Sequence, residues 1–181
     1  RTVVVTGAGS GIGAAIADCL AAEGARVAVL DREDPANQHH WEACDVASSE
    51  QVERAVAAVA SALGRIDIVV NNAGIGAQGD VAGNPDEEWA RAWEVNVAGM
   101  ARVSRAALPH LRESDAAAVV NMASIAATAG IQQRALYSAT KGAVLALTRA
   151  MAADHLQQGI RVNCVSPGTA DTPWIGRLLA Q

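Results

Sequence analysis

Apolar positions follow two patterns that alternate along the chain. Short runs of branched apolar residues predict buried β-strands, and longer stretches with an apolar residue every three or four positions predict helices packed against them. Six strands are predicted, at residues 2–6, 26–30, 41–44, 66–70, 119–123 and 161–165. This alternation predicts an α/β fold, with a doubly wound parallel sheet and right-handed crossovers, in a single domain over residues 1–181.

Residues with known capping preferences predict where the helices begin and end. Ser48 with Gln51 predicts a capping box, Asn84-Pro85 predicts another helix start, and Gly24 and Gly64 predict two helix ends. Residues 33–40 are polar and too few for a crossover helix, so we expect a loop or a single helical turn there. One further helix carries a stripe at helical spacing that we expect in the core or at an interface, comprising Trp89, Trp93, Val97 and Met100.

Composition and charge narrow the classes of partner. The chain has 181 residues, of which 51% are hydrophobic, and a formal net charge of −5, which argues against nucleic acid as a partner. No apolar run reaches membrane-spanning length, so we expect a soluble protein with no membrane partner. The first residues lack the features of a signal peptide, and we expect a cytoplasmic location.

Cysteines and histidines give no metal signature. The three cysteines lack a C-x-x-C spacing and are expected to be buried free thiols: Cys19, Cys44 and Cys164. The four histidines are not spaced as a ligand pair on one helix: His39, His40, His110 and His155. We therefore expect no metal site.

A glycine-rich loop lies between the first predicted strand and the first predicted helix. The spacing is G-x-x-x-G-x-G, and no Gly-Lys-Ser/Thr follows, which excludes a P-loop. Glycines in this context let backbone N–H groups and a helix N-terminus approach a pyrophosphate. The predicted cofactor-binding residues of the loop are Gly7, Ser10, Gly11, Ile12 and Gly13.

An acidic residue ends the second predicted strand. Asp31 stands about twenty residues beyond the glycine loop, where a carboxylate can bind both adenosine ribose hydroxyls and repel a 2′-phosphate. NAD(H) is therefore expected rather than NADP(H). Arg32 is the opposing feature, since its guanidinium could receive a phosphate or cover the adenine face.

The carboxyl ends of the remaining strands carry small or polar residues, as ligand-binding edges of open α/β sheets do. We expect these to complete the cofactor site: Asp45, Val46, Asn72, Ala73, Gly74, Pro167, Gly168, Thr169 and Thr172.

The most reactive combination is Tyr137 with Lys141, preceded by Ser124 at the end of the fifth strand. On a helix, residues four apart share one face. An ammonium beside a phenol favours the phenolate, so we expect a lowered pKa for Tyr137 and an acid/base role near neutral pH. An isolated Tyr–Lys pair would more often be an ordinary surface feature, and the surrounding motifs decide the matter.

Taken together, these motifs resemble the short-chain dehydrogenase/reductase family over essentially the whole chain, with its Rossmann-type NAD(P)-binding fold. The motifs that carry the resemblance are residues 6–13, Asp45-Val46, residues 71–74, Asn96, Ser124, Tyr137 with Lys141, and Pro167-Gly168. The resemblance implies a catalytic tetrad of Asn96, Ser124, Tyr137 and Lys141.

The resemblance also implies the role of each group. Tyr137 would be the general acid/base, and Ser124 would stabilise charge on the substrate oxygen. Lys141 would hold the nicotinamide ribose and lower the pKa of the tyrosine, and Asn96 would position a water that links the lysine to solvent. The groups near Thr169 and Thr172 would orient the nicotinamide carboxamide.

The resemblance leaves the substrate open. It implies a small-molecule alcohol or ketone and a homotetramer or homodimer. The family's last strand and C-terminal substrate-binding residues are missing, so we expect further residues after Gln181. Pocket candidates beside the reactive groups are Ile75, Gly76, Ala126, Thr128 and Trp174.

Two other functions stay open. One is an NADPH-dependent 3-oxoacyl-[acyl-carrier-protein] reductase, a type that usually has a basic residue in the glycine loop; none is present here. The other is a catalytically silent dinucleotide-binding sensor, which would be free to lose the tyrosine or the lysine.

Overall fold

The structure is a computed structural model that describes residues 1–35 and 37–172. Six parallel strands form one sheet in the order β3-β2-β1-β4-β5-β6. The strands are β1 (Thr2–Thr6), β2 (Arg26–Asp31), β3 (His40–Ala43), β4 (Ile68–Asn71), β5 (Ala118–Met122) and β6 (Arg161–Val165). The strand order reverses direction between β1 and β4, so the predicted doubly wound sheet of Rossmann type is confirmed.

Five α-helices flank the described part of the sheet: α1 (Gly11–Ala22), α2 (Ser49–Leu63), α3 (Asp86–Trp93), α4 (Gly99–Arg112) and α5 (Ala135–Asp154). A π-helical turn at Glu94–Ala98 joins α3 to α4, and short 3₁₀ turns lie at Ile125–Ala127 and Leu156–Gln158. Helix α1 packs on one face of the sheet, while α2, α4 and α5 pack on the other. The predicted single domain over residues 1–181 stays a prediction.

Three boundary predictions hold and one is half right. Gly24, with φ 85°, lies just after the end of α1. Gly64 ends α2 with φ 76°, its N–H donating to the Ala60 carbonyl, and Pro85 directly precedes α3. Ser48 accepts a hydrogen bond from the Gln51 N–H, but the Gln51 side chain accepts from the Asp45 N–H and not from Ser48. Gln51 therefore ties the end of β3 to α2 and does not complete a capping box.

The predicted stripe of Trp89, Trp93, Val97 and Met100 lies only partly in the core, where Trp89 packs against a buried cluster that includes Ala92. Met100 is buried, but Trp93 is 44% exposed, and the interior side of this segment carries Ala92 and Asn96. A π-helical turn inserts an extra residue into the helical repeat, so a spacing read across Glu94–Ala98 with 3.6 residues per turn loses register. Whether Trp93 meets another subunit stays a prediction.

Candidate active site

A cleft of about 660 Å³ opens at the carboxyl ends of β1 and β4, where ligands bind in doubly wound sheets. It brings together eighteen of the twenty different residues predicted for the site: Gly7, Ser10, Gly11, Ile12, Asp31, Arg32, Asp45, Val46, Asn72, Ala73, Gly74, Ser124, Tyr137, Lys141, Pro167, Gly168, Thr169 and Thr172. The other two, Gly13 and Asn96, do not line the cleft.

Two glycines of the loop permit close backbone contacts that any side chain would prevent. Gly7 has φ 64°, and a Cβ there would lie 2.6 Å from the Cα of Ala73. A Cβ on Gly13 would lie 2.4 Å from Nδ2 of Asn72. Gly13 therefore acts indirectly, by letting α1 approach the end of β4, and the loop keeps a side-chain-free cradle of the kind a pyrophosphate occupies.

Asn72 and Thr6 fasten the ends of β1 and β4 together. The Asn72 amide donates to the carbonyls of Thr6 (3.0 Å) and Gly7 (2.9 Å). The Thr6 hydroxyl accepts from the N–H groups of Asn72 and Ala73, both at 3.0 Å. Thr6 belongs to the motif at residues 6–13, but this role was not predicted for it; a hydroxyl at the last position of a strand, opposite a polar strand end, was an available signal.

Two carboxylates lie along the cleft wall on the β2–β3 side. Asp31 accepts a hydrogen bond from the Gly9 N–H at 2.7 Å, so it faces the glycine loop from the end of its strand. Asp45 accepts from the Ala47 N–H at 2.9 Å and lies 3.5 Å from the guanidinium of Arg91. Arg91 lines the cleft and was not predicted, since it comes from the sequence-distant helix α3.

Ser124 is held at the end of β5 by the turn that follows it. Its hydroxyl accepts from the Ala126 N–H at 3.1 Å, and the next residue, Ile125, donates its N–H to the Pro167 carbonyl at 2.9 Å. Ser124 also forms a side-chain hydrogen bond with Tyr137. The loops after β5 and β6 thus set the serine beside the phenol.

Lys141 is buried, with 4% of its surface exposed, one turn after Tyr137 on α5. Its ammonium donates to the Met122 carbonyl at 2.7 Å and lies 5.7 Å from the centre of the Tyr137 ring. Burial disfavours the charged form and lowers the pKa of Lys141 from 10.5 to about 8. The lysine is therefore still mostly protonated at neutral pH.

The expected lowering of the Tyr137 pKa was wrong. Burial raises the pKa of the phenol above its ordinary value of 10, and the hydrogen bond with Ser124 and the positive charge of Arg134 only partly oppose this. Lys141 is not among the groups that lower this pKa, and its ammonium donates to the Met122 carbonyl. In this structure the neutral phenol is the favoured form.

Asn96 holds the loop after β4 from behind. Its amide oxygen accepts from the Ile75 N–H at 2.8 Å, and its amide nitrogen donates to the Ile75 carbonyl at 2.9 Å and to the Thr140 hydroxyl at 3.1 Å. A Cβ on Gly74 would lie 3.2 Å from the Asn96 oxygen and 3.6 Å from the Lys141 nitrogen. The Asn96 oxygen and the Lys141 nitrogen therefore both lie close to Gly74.

The substrate end of the cleft agrees only in part with the predicted pocket. Ile75, Gly76 and Ala126 line it, whereas Thr128 does not, its hydroxyl being directed to the Ile125 carbonyl at 3.3 Å. Trp174 lies outside the described residues. Ile125, Ile131 and Arg134 also line the cleft and were not predicted: they come from the loop between β5 and α5, whose path has no periodic signal.

The prediction of buried cysteines is right for Cys44 and wrong for Cys19. Cys44 is buried in the cleft wall, and burial raises its thiol pKa from 9.0 to about 11; Cys19, expected to be buried, is exposed.

Within residues 1–35 and 37–172, no three His, Cys, Asp or Glu side chains are grouped as metal ligands. None of the helices described there is both long and apolar enough to cross a bilayer.

Comparisons with known proteins agree with this geometry. A family model described as short chain dehydrogenase matches residues 1–181. The 2-(R)-hydroxypropyl-CoM dehydrogenase of Xanthobacter autotrophicus is 39% identical, over 96% of this chain and 76% of its own. Thermoplasma acidophilum aldohexose dehydrogenase, solved in ligand-free form, has 34% identity and a TM-score of 0.95 over 98% of this chain and 70% of its own.

A second solved structure contains a nicotinamide cofactor. The 3-ketoacyl-(acyl-carrier-protein) reductase of Brucella melitensis, complexed with NADH, is 33% identical, with a TM-score of 0.92 over 97% of this chain and 78% of its own. The sheet order, the glycine cradle and the matches over the whole sequence lead to one conclusion. The chain belongs to the short-chain dehydrogenase family of oxidoreductases, which bind a nicotinamide dinucleotide.

Proposed function

We propose that the protein is an NAD(H)-dependent oxidoreductase that interconverts a secondary alcohol and a ketone. The observation that carries the proposal is the convergence of Ser124, Tyr137 and Lys141 on one wall of the cleft that begins at the glycine loop. A hydroxyl donor, a phenol and an ammonium beside a dinucleotide cradle are the groups that a carbonyl oxygen needs during reduction.

The residues along the cleft fit a dinucleotide. Gly7 and Gly11, both with positive φ, and the start of α1 would hold the pyrophosphate, and Asp31 would bind the adenosine ribose. Thr169 and Thr172 would hold the nicotinamide end. When bound, the nicotinamide donates or accepts the hydride; the tasks of this chain are to bind, to orient and to move the proton.

Tyr137 would exchange a proton with the substrate oxygen, and Ser124 would donate a hydrogen bond to that oxygen. Because the pKa of Tyr137 is raised, the phenol is protonated at neutral pH, which suits donation to a ketone. Oxidation of an alcohol needs the phenolate. Its rate, measured as kcat/KM, is therefore expected to rise with pH well above neutrality.

Lys141 would bind the nicotinamide ribose and keep positive charge near the phenol. Its pKa of about 8 leaves it protonated in the reduction direction at neutral pH. The role of Asn96 in a water link to this lysine stays a prediction. Its support is the bonding of Asn96 to both backbone groups of Ile75, which fixes the loop beside the Lys141 nitrogen.

The test is Tyr137→Phe, which removes one hydroxyl from the cleft. We expect kcat to fall by roughly 10²–10⁴-fold, the usual contribution of a positioned acid/base, while the NADH dissociation constant changes little. Ser138→Ala is the matched control, because it removes a hydroxyl from the next position of α5 outside the cleft wall and should leave both quantities unchanged. A Tyr137→Phe protein with near-wild-type kcat would refute the mechanism.

NAD(H) specificity rests on Asp31, whose carboxylate stands in the cleft beside the Gly9 N–H. We expect kcat/KM with NADH to exceed that with NADPH, because the carboxylate would repel a 2′-phosphate. Arg32, also in the cleft wall, is the group that could reverse this. A marked preference for NADPH would favour the alternative, an NADPH-dependent 3-oxoacyl-[acyl-carrier-protein] reductase.

The broader assignments have weaker support and remain proposals. A silent dinucleotide sensor is disfavoured, since the tyrosine, the lysine and the serine are all in the cleft. We propose a small-molecule alcohol or ketone as the partner and a homodimer or homotetramer as the assembly, which the half-exposed Trp93 would suit. A cytoplasmic location stays a prediction.

A further inference from the structure

Arg134 is a charged residue of the cleft to which the proposed reaction assigns no role. It lies three residues before Tyr137, at the N-terminal boundary of α5, and it lines the cleft together with that tyrosine. Its positive charge is close enough to act on the phenol, since it opposes the rise of the Tyr137 pKa. A cation therefore stands at the substrate end of the cleft, beside the group that would receive the reacting oxygen.

The guanidinium is left with free donor capacity. One nitrogen of Arg134 donates to the Ala77 carbonyl at 3.2 Å, and among the described residues no carboxylate lies within ion-pair distance of it. A guanidinium has five N–H donors in a planar fork that matches an oxyanion. By contrast, Arg91, the other arginine on a helix lining the cleft, is already paired with Asp45.

The backbone around Arg134 is fixed at a local cost. Gln133 has φ 55°, a left-handed conformation that is unfavourable for a residue other than glycine. Gly79 holds both neighbours, donating its N–H to the Gln133 carbonyl and accepting from the Ala135 N–H. Arg134 itself occupies the cap position of α5 without making a side-chain cap, where Ser, Asp or Asn would stabilise the helix. The hydrogen bonds of Gly79 thus fix the backbone on both sides of Arg134, which lines the cleft.

Apolar side chains complete the surroundings. Ile125 and Ile131 line the cleft and are 47% and 42% exposed, so they offer uncovered apolar surface on the loop that leads to Arg134. A ligand that fits both features has a short hydrocarbon part and an anionic end.

Resting on the proposed function, we propose that Arg134 is a specificity-determining residue, and that the substrate is a secondary alcohol or ketone with an oxyanion group, a carboxylate or a sulfonate, a few bonds from the reacting carbon. The guanidinium binds the oxyanion by charge-assisted hydrogen bonds while the reacting oxygen lies at Tyr137 and Ser124. The hydride and proton steps are those of the proposed function, and no further reactant is needed.

The experiment compares isosteric charged and neutral ketones. Wild-type protein with NADH should reduce 4-oxopentanoate with a higher kcat/KM than 4-oxopentanamide, and 3-oxobutane-1-sulfonate tests which oxyanion is preferred. Arg134→Gln keeps a donor for the Ala77 carbonyl but removes the charge. It should lower kcat/KM for the preferred anion roughly 10- to 100-fold, mainly through KM, and leave the amide unchanged. Arg134→Lys should restore part of the preference.

Arg149→Gln is the matched control, because it removes the same charge from an exposed position of α5 that does not line the cleft. An equal loss on charged and neutral ketones in Arg134→Gln, or no preference for an anion in the wild type, would overturn the inference. If the protein reduces no ketone at all, the proposed function fails by itself. Calorimetric titration of the NADH complex with 4-oxopentanoate then decides the anion site: binding weakened about tenfold or more by Arg134→Gln supports it, and equal or absent binding refutes it.

Discussion

A charged side chain is buried at each end of the parallel strands, and the two side chains differ in how many hydrogen-bond partners surround them. At the amino end, Asp67 has no exposed surface and accepts hydrogen bonds from the Thr2 N–H (2.8 Å), the Ser114 hydroxyl (2.5 Å) and two nitrogens of Arg65 (2.9 and 2.5 Å). At the carboxyl end, Lys141 has one hydrogen bond, to the Met122 carbonyl, and no carboxylate partner among the described residues.

The pKa values follow from this difference. For Asp67, burial alone would raise the pKa, but the hydrogen bonds and the charge of Arg65 outweigh it and lower the value from 3.8 to about 2. For Lys141, burial prevails and lowers the pKa to about 8. The charge of Asp67 therefore stabilises the folded state, whereas the charge of Lys141 destabilises it. A buried ammonium at a cleft, with no carboxylate partner among the described residues, is the pattern expected of a functional site.

The largest expected effect comes from removing the unpaired charge. Lys141→Met should lower kcat by at least 10²-fold if the lysine acts as proposed, and should stabilise the protein at pH 7 by about 1–2 kcal/mol. The fall in its pKa corresponds to about 3 kcal/mol, from which the lost hydrogen bond to the Met122 carbonyl subtracts. Urea unfolding of the cofactor-free protein measures the change in stability.

The pH dependence of the same pair of proteins sharpens this prediction. The folded pKa of Lys141 lies below the unfolded value, so the unfolded state binds more protons between pH 8 and 10.5. The wild type should therefore gain stability relative to Lys141→Met as the pH rises through that window, and little should change between pH 6 and 7. A Lys141→Met protein less stable than the wild type at pH 7 would contradict the comparison.

The second largest effect is expected from Asp67→Asn, which should change stability and leave activity unchanged. Asp67→Asn should lower the free energy of unfolding by about 2 kcal/mol at pH 7, since the folded pKa of about 2 lies below the unfolded 3.8. This contribution is present above pH 4 and disappears as the pH falls to 2, so the two proteins should converge in acid. Activity should be unchanged, because Asp67 is at the opposite edge of the sheet from the cleft.

The smallest effect is expected from the exposed outer part of the same cluster. Asp115 contacts Arg1 and lies 3.2 Å from Arg65, but its side chain is 71% exposed, where solvent screens the charges. Asp115→Asn should leave the urea midpoint at pH 7 almost unchanged. If Asp115→Asn lowered the free energy of unfolding as much as Asp67→Asn, the charged groups around Arg65 would act as one unit. The distinction between the buried Asp67 and the exposed Asp115 would then fail.

The sequence determined the sheet, most helix boundaries and nearly all of the cleft. Apolar periodicity, caps and strand-end motifs are local signals, and parallel strands bring their carboxyl ends to one edge, so Gly7, Asp31, Asn72 and Ser124 had to meet. Local spacing also placed Tyr137 and Lys141 on one helix face.

Only the tertiary structure decided what the buried groups experience. Burial of the phenol raises the pKa of Tyr137, and the Lys141 ammonium donates its hydrogen bond to a carbonyl on β5 rather than to the phenol. The π-helical turn at Glu94–Ala98 moved the buried face away from Trp93. Arg134 entered the cleft through an irregular loop held by Gly79. Burial, carbonyl direction and loop path depend on residues far apart in the chain, and no local pattern encodes them.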